Sequence, residues 1–178
     1  MSDSRPTLRT DRLILRPFTL ADAPDLHAVV YGNADVTRFL PGGAPRPPER
    51  VLETVRYFVE HWTQHGFGGF AVIDAASGAF IGQCGLNVLP PDGAIELFYA
   101  IGRAYWGQGI TAEAARAVNA WGLDVLKLPR IIALVDADNH ASQRVALKIG
   151  MTFAGRTDRY YNADLNLYVL DAPAARGG

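Results

Sequence analysis

Residues 95–155 decide the fold, and the decisive run within them is Trp106-Gly107-Gln108-Gly109-Ile110-Thr111. A strand-like segment leads into this run and an amphipathic helix leaves it. A second strand follows and ends at Asn139-His140-Ala141-Ser142. A glycine turn between strand and helix exposes several backbone N–H groups at the positive end of the helix dipole, which makes an anion site. A phosphate-bearing ligand is the expectation. The glycines alone leave three readings open: a plain structural turn, a dinucleotide fingerprint, or a cradle for another pyrophosphate.

The fingerprint reading has substance. Gly107, Gly109 and Ala112 satisfy G-x-G-x-x-G/A, and Asp136 stands where a ribose-binding acid would sit. Context counts against it. A doubly wound fold needs further parallel βαβ units after Asp136, and what remains reads as one short helix and a strand hairpin. A Walker loop is excluded because no Gly-Lys-Ser/Thr follows the glycines.

Working outward, residues 7–18 read as a first strand closed by Pro17. Asp22 caps a helix to about Tyr31, with Pro24 tolerated in its first turn. Residues 33–48, rich in proline and holding Gly42-Gly43, read as a long functional loop. Pro47 and Pro48 open a helix to about Gln64 whose apolar residues recur every three to four positions. Residues 67–74 and 80–89 form a hairpin around Ala75-Ala76-Ser77-Gly78. Pro90-Pro91-Asp92-Gly93 turns into a strand at 94–101. Residues 111–127 read as helix, 130–136 as a buried parallel-type strand, 142–149 as a short helix ended by Gly150, and 151–159 and 165–170 as strands. Residues 172–178 read as a frayed tail. The fold class is therefore α/β, with a mixed, mostly antiparallel central sheet and one right-handed βαβ unit.

With 178 residues, the chain suits one domain spanning 1–178, with its core at about 7–170. A hydrophobic fraction of 49% and a net charge of −1 fit an ordinary globular protein and argue against sequence-independent nucleic-acid binding. Lone Cys84 cannot form an internal disulfide. No apolar run approaches the roughly 20 residues that span a bilayer, and residues 1–6 lack the apolar core of a signal peptide. A cytoplasmic protein with no membrane partner is expected.

Several motifs, in order along the chain, resemble the GNAT N-acetyltransferase superfamily and its RimJ/RimL-like branch. They are Thr10-Asp11-Arg12-Leu13-Ile14-Leu15-Arg16-Pro17, Gly82-Gln83-Cys84-Gly85-Leu86, Glu96-Leu97-Phe98-Tyr99, Tyr105-Trp106-Gly107-Gln108-Gly109, and Ala112-Glu113-Ala114-Ala115. The late signature Asn139-x-x-Ser142-x-x-Val145-x-x-Lys148-x-Gly150-Met151 completes the set. The superfamily's Arg/Gln-x-x-Gly-x-Gly/Ala pattern falls on Trp106, Gly109 and Thr111. Trp106 is typical of this branch, whereas Thr111 departs from the usual small residue. The resemblance implies acetyl transfer from acetyl-CoA to a primary amine of a protein N-terminus or small molecule by direct attack, with no metal. It also implies that the fourth and fifth predicted strands, 94–101 and 130–136, splay around the pantetheine arm.

By the same resemblance, the amides of Trp106, Gly107, Gln108, Gly109, Ile110 and Thr111 wrap the pyrophosphate. A backbone N–H from Tyr99, Ala100 or Ile101 meets the thioester carbonyl. Asn139 serves the pantetheine amides or, equally in keeping with its position, caps a helix. Ser142 is the candidate acid for the departing thiolate, the role a tyrosine plays in other branches; a plain helix-start serine is the alternative. Glu96 is the candidate general base, acting through water, against a partly exposed salt-bridging glutamate. Tyr160 and Tyr161 line the acceptor pocket or pack at its rim. His61 and His65 share a helix face but lack the H-E-x-x-H glutamate and a third ligand, so a solvated face is expected. Cys84 reads as a small buried hydrophobe. The acceptor, and the choice between monomer and homodimer, stay open. The rivals to acetyl transfer are a non-catalytic acyl-CoA-binding module and, further off, an NAD-binding domain.

Overall fold

The computed structural model describes residues 5–90 and 92–174. Its eight strands form one sheet in the order β1-β2-β3-β4-β5-β6-β8-β7. The first predicted strand is in fact two, β1 (Leu8–Arg9) and β2 (Leu13–Pro17), paired antiparallel. Thr10 causes the break: its N–H donates to Leu13 O and its hydroxyl accepts from Leu13 N–H, both at 3.0 Å, so Asp11 and Arg12 project as a turn.

The next helical stretch is α1 (Ala23–Leu26), which tightens before it at Leu20–Asp22 and loosens after it at His27–Tyr31. Within the predicted loop, Asn33 accepts from the amides of Asp35 and Val36 and starts α2 (Ala34–Thr37). Asn33 is a strong cap, and proline-rich surroundings hid it from a pattern reading. The long α3 (Pro48–His65) ends at Gly66, whose φ of 74° only glycine takes freely.

Strands β3 (Gly69–Asp74), β4 (Phe80–Leu89) and β5 (Ala94–Ile101) follow as an antiparallel meander. Then come α4 (Ile110–Ala120), β6 (Arg130–Val135), α5 (His140–Lys148), β7 (Thr152–Thr157) and β8 (Leu165–Asp171). Strand β8 inserts between β6 and β7, so the closing hairpin joins the sheet by its second strand. Among the described strands, β5 and β6 form the single parallel pair. The doubly wound dinucleotide alternative is thereby removed.

Alternation along the strands divides the core. Leu13, Val72, Leu86 and Leu97 pack with Ala114, Val118 and Trp121 beneath α4. On the opposite face Ala71 and Ala100 pack with Leu26, Val30, Val55 and Phe58 beneath α1 and α3. Of the predicted tail, Ala172 is pinned by its N–H to Pro129 O at 2.9 Å, while residues 175–178 lie outside the described part, as do residues 1–4 and Pro91 of the predicted turn. No helix among the described residues is long and apolar enough to cross a membrane.

Candidate active site

The register of the parallel pair creates the site. β5 and β6 meet at Glu96↔Ile132 and nowhere else along the ladder, so residues 97–101 and 133–135 diverge. A cavity of about 1400 Å³ fills the divergence and reaches both faces of the sheet. Tyr99, Ala100 and Ile101 line one bank, and Ala133 and Val135 line the other. This is the space an extended chain would enter as if it were a strand.

At the α4 end, Gly109 sits immediately before the helix at φ 77° and Gly107 at φ 74°. The first helical bond is Glu113 N–H to Gly109 O at 3.1 Å, so the amides of Ile110, Thr111 and Ala112 precede the ladder and remain available to an anion. A Cβ on Gly109 would meet only Arg12 Nη2, at 3.6 Å. Its glycine is required by backbone conformation and not by crowding.

The turn is braced from outside. Arg12 donates to Gln108 O at 2.8 Å and pairs with Glu113 at 2.6 Å, while Thr10 Oγ1 donates to the same carboxylate at 2.6 Å. Those hydrogen bonds hold Glu113 below the usual carboxylate range against the opposing effect of its partial burial. Trp106 donates its indole N–H to Ile101 O at 2.8 Å, tying the turn to the end of β5.

Two polar clusters open into the cleft from opposite faces. On the α4 face, Tyr99 Oη and Ser142 Oγ lie 2.8 Å apart, and the same phenol donates to Ser142 O at 3.3 Å. Burial pushes the phenol up to about 12, so it keeps its proton at neutral pH. On the α3 face, Glu96 is 5% exposed and accepts from Tyr161 Oη at 2.5 Å through Oε2. Desolvation lifts this carboxyl to about 7, opposed only by the Tyr161 hydrogen bond. Asn87, directly across from Glu96 in the β4–β5 ladder, accepts from Tyr57 Oη at 2.5 Å. Tyr161 and Asn162 take left-handed φ values of 57° and 51°, a strained backbone that turns the phenol onto Glu96.

The family described as the acetyltransferase (GNAT) domain matches residues 12–152. This chain belongs to that family. The uncharacterized N-acetyltransferase YoaA of Bacillus subtilis (strain 168) is 30% identical over 174 residues, covering 94% of this chain and 98% of its own length. An acetyltransferase from Agrobacterium tumefaciens superposes with a TM-score of 0.82 at 30% identity, covering 96% of each chain. RimL, a ribosomal alpha-N-protein acetyltransferase solved with coenzyme A, reaches a TM-score of 0.79 at 20% identity, covering 96% of this chain and all of its own, a likeness of fold. This GNAT protein is an acetyl-CoA-dependent N-acetyltransferase, and the reading as a silent binding module loses its footing.

Within the GNAT site, the residues singled out in the sequence are brought together unevenly. Glu96, Tyr99, Ala100, Ile101, Trp106, Gly107, Thr111, Asn139 and Ser142 all line the cleft. Gln108 and Gly109 face the other way, onto a groove with Arg12, Arg116 and Lys148, and Ile110 is buried in the core. These three offer the cleft only backbone. Asn139 Oδ1 caps α5 by accepting from Ser142 N–H at 3.1 Å, which leaves its Nδ2 for a ligand. Tyr161 lines the cleft, whereas Tyr160 turns away to donate to Asp92 at 2.8 Å.

His61 requires a correction. It is not on a solvated face but 3% exposed, with Nδ1 2.7 Å from Phe67 O and Nε2 accepting from Val88 N–H at 3.1 Å. It fills the place beyond the start of β3, where the edge of β4 away from β5 has no strand partner. The cue was its i+3 spacing from Phe58 on the buried stripe of α3. Cys84 is fully buried, its thiol pushed far up by desolvation. Sequence reasoning valued Tyr99 only for its backbone and passed over Tyr57, Asn87 and Gln83. No motif marks Tyr57 or Asn87, and Gln83 lies inside the run Gly82-Gln83-Cys84-Gly85-Leu86 with no role implied for it; alternation on β4, which puts 83 and 87 on the Glu96 face, was the available signal.

Proposed function

We propose that this protein acetylates a primary amine by direct attack on acetyl-CoA, with Glu96 as base and the Tyr99–Ser142 pair as acid. The observation that carries this reading is the opening of both clusters, from opposite faces, into one cleft where β5 and β6 part. An amine entering from the α3 face meets a carboxyl poised near neutrality, and a thiolate leaving toward the α4 face meets two hydroxyls.

The residues present suit acetyl-CoA. The cleft opens where β5 and β6 part, and the glycine turn presents free amides at one end of it. When bound, acetyl-CoA supplies an activated acyl group and a thiolate that leaves readily. Gly107, Gly109 and the amides of Ile110 and Thr111 hold the pyrophosphate, aided by the Thr111 hydroxyl. Asn139 Nδ2 donates to a pantetheine carbonyl. Glu96 Oε1, which bonds nothing among the described residues, takes the ammonium proton directly or through one water. An amide on the free edge of β5, at Tyr99 or Ile101, faces the developing oxyanion, whereas Ala100, opposite Gln83, turns its backbone to β4. Ser142 gives its proton to sulfur, Tyr99 replaces it across the 2.8 Å contact, and water entering the cleft returns a proton to the phenol before the next turnover.

The motif matches support placement in the RimJ/RimL-like branch, and the net charge of −1 supports an acetyltransferase that acts without nucleic-acid partners, in the cytoplasm, as a monomer or homodimer. A thiol-release assay with acetyl-CoA across amines and peptides, with product mass, tests the reading. Acetylated amine and a melting shift with acetyl-CoA but not NAD are expected. Acetyl-CoA binding without release on any amine would overturn it.

A further inference from the structure

The acceptor half of the cleft holds a positive charge that no carboxylate answers. Arg46 sits in the chain between α2 and α3, its guanidinium over the Tyr31 ring at 4.5 Å from the centroid. Nη2 donates to Pro41 O at 2.9 Å and Nη1 reaches Thr54 Oγ1 at 3.4 Å. Its cleft neighbours Arg50 and Arg103 are paired, with Glu53 and Asp35 respectively. Among the described residues Arg46 has no such pair. Exposed Arg38, over the Phe39 ring at 5.0 Å, also lacks one.

A second observation meets the first at Tyr31. The hydroxyl edge of that ring accepts from Gln83 Nε2 at 3.0 Å. Gln83 is 3% exposed and lines the cleft, and its Oε1 has no partner. The amide oxygen and nitrogen are interchangeable by rotation, so one polar atom of a buried side chain is left over whichever way it is turned. Buried polar atoms are otherwise nearly always satisfied. Turned so that its Oε1 accepts from the Tyr31 hydroxyl, Gln83 leaves Nε2 free to donate, and with the Arg46 guanidinium on the same ring it forms a subsite for an oxyanionic group. Arginine's fork matches an oxyanion. Its field also repels polycationic amines.

We propose that the acceptor is a primary amine that also carries an oxyanionic group, a carboxylate or a phosphate, and that Arg46 and Gln83 select it by that group. The proposal rests on the acetyl-transfer reading and narrows its substrate class. It is tested by kcat/KM at saturating acetyl-CoA on matched pairs: α- and ω-amino acids of increasing length against their amides, and aminoalkyl phosphates against the parent amino alcohols, with spermidine as the polycation. The anionic partner should win by about ten- to a hundredfold, the range of one charge-assisted hydrogen bond. Arg46→Ala should compress that ratio toward one and Arg46→Lys restore part of it. Gln83→Leu, which leaves the loop untouched, should compress it less and serves alone if Arg46→Ala does not fold. Preference within only the carboxylate or only the phosphate pairs supports the proposal and names the group. Equal turnover within every pair, a preference for spermidine, or a ratio unmoved by these variants overturns it while acetyl transfer stands. Absence of thiol release on every amine overturns both.

Discussion

The two halves of the cleft are built by opposite strategies. The α4 half is local: the glycine turn, Asn139 and Ser142 lie in two short runs, and its principal donors are backbone amides. The α3 half is assembled from distant pieces, with Glu96 on β5, Asn87 on β4, Tyr57 on α3 and Tyr161 between β7 and β8. Backbone donors need a particular conformation and tolerate many side chains, so a short glycine-bearing pattern encodes them. Side-chain recognition needs particular residues brought together by tertiary packing. On the proposed reading, the half assigned to acetyl-CoA is compact in sequence, and the half assigned to the acceptor is dispersed.

The largest expected effect strikes the local half. Gly109→Val places a β-branched residue at φ 77°, a conformation costing L-residues roughly 1–2 kcal/mol or more, at the mouth of the anion site. Isothermal titration should show acetyl-CoA binding abolished, with a folded far-UV spectrum. Normal affinity would place the phosphates elsewhere and leave the α4 half without its backbone grip.

In the dispersed half, Glu96→Gln should lower kcat by about 10²–10⁴-fold, the usual range for a general base, with acetyl-CoA affinity nearly intact. The wild-type rate should climb with pH through about 7, because the carboxyl is protonated below that point and basic above it. The same raised value means that folding stability from this group declines as pH rises from the ordinary carboxylate range toward 7, since the unfolded chain gives up its proton first. Glu96→Gln should therefore flatten both the rate limb and that decline; a limb that survives belongs to another group.

Ser142→Ala should cost about tenfold or less in kcat, because a CoA thiolate leaves readily, and Tyr99→Phe should cost a similar amount. Together they should cost scarcely more than either alone, since they form one proton path. Additive losses in the double variant would separate them. Asn139→Ala should weaken acetyl-CoA binding and also remove a helix cap worth about 1 kcal/mol, read as a lower apo melting temperature. The smallest effect is expected from Tyr161→Phe. Loss of the hydrogen bond that favours the Glu96 carboxylate should move the rate limb to higher pH by up to about one unit with modest change in the plateau. An unmoved limb would detach Tyr161 from the base.

Legibility in the sequence followed locality and not the two halves of the cleft. The mixed sheet and the single βαβ unit were readable because alternation and glycine signals are local, whereas the splay followed only from the family resemblance. Glu96 and Ser142 were readable because they sit inside recognisable runs. The pairing of Ser142 with Tyr99 spans 43 residues and that of Glu96 with Tyr161 spans 65, and no period links them. His61 was misplaced because histidine's polarity outweighed its apolar spacing, although the fold satisfies both ring nitrogens. The split of the first strand turned on one threonine hydroxyl, whose bonding partner the sequence does not announce.

The brace on the glycine turn has a consequence for how the protein becomes competent. Thr10 and Glu113 are 103 residues apart, and Arg12 reaches Gln108 across 96. Contacts of such separation are entropically expensive to close and form after local structure. During synthesis, α4 and its turn emerge from the ribosome long after the segment that braces them has been made and must find it again. If the glycine turn holds acetyl-CoA as proposed, its full grip requires both ends of that brace to have met, and ligand binding reports on closure of that long-range contact.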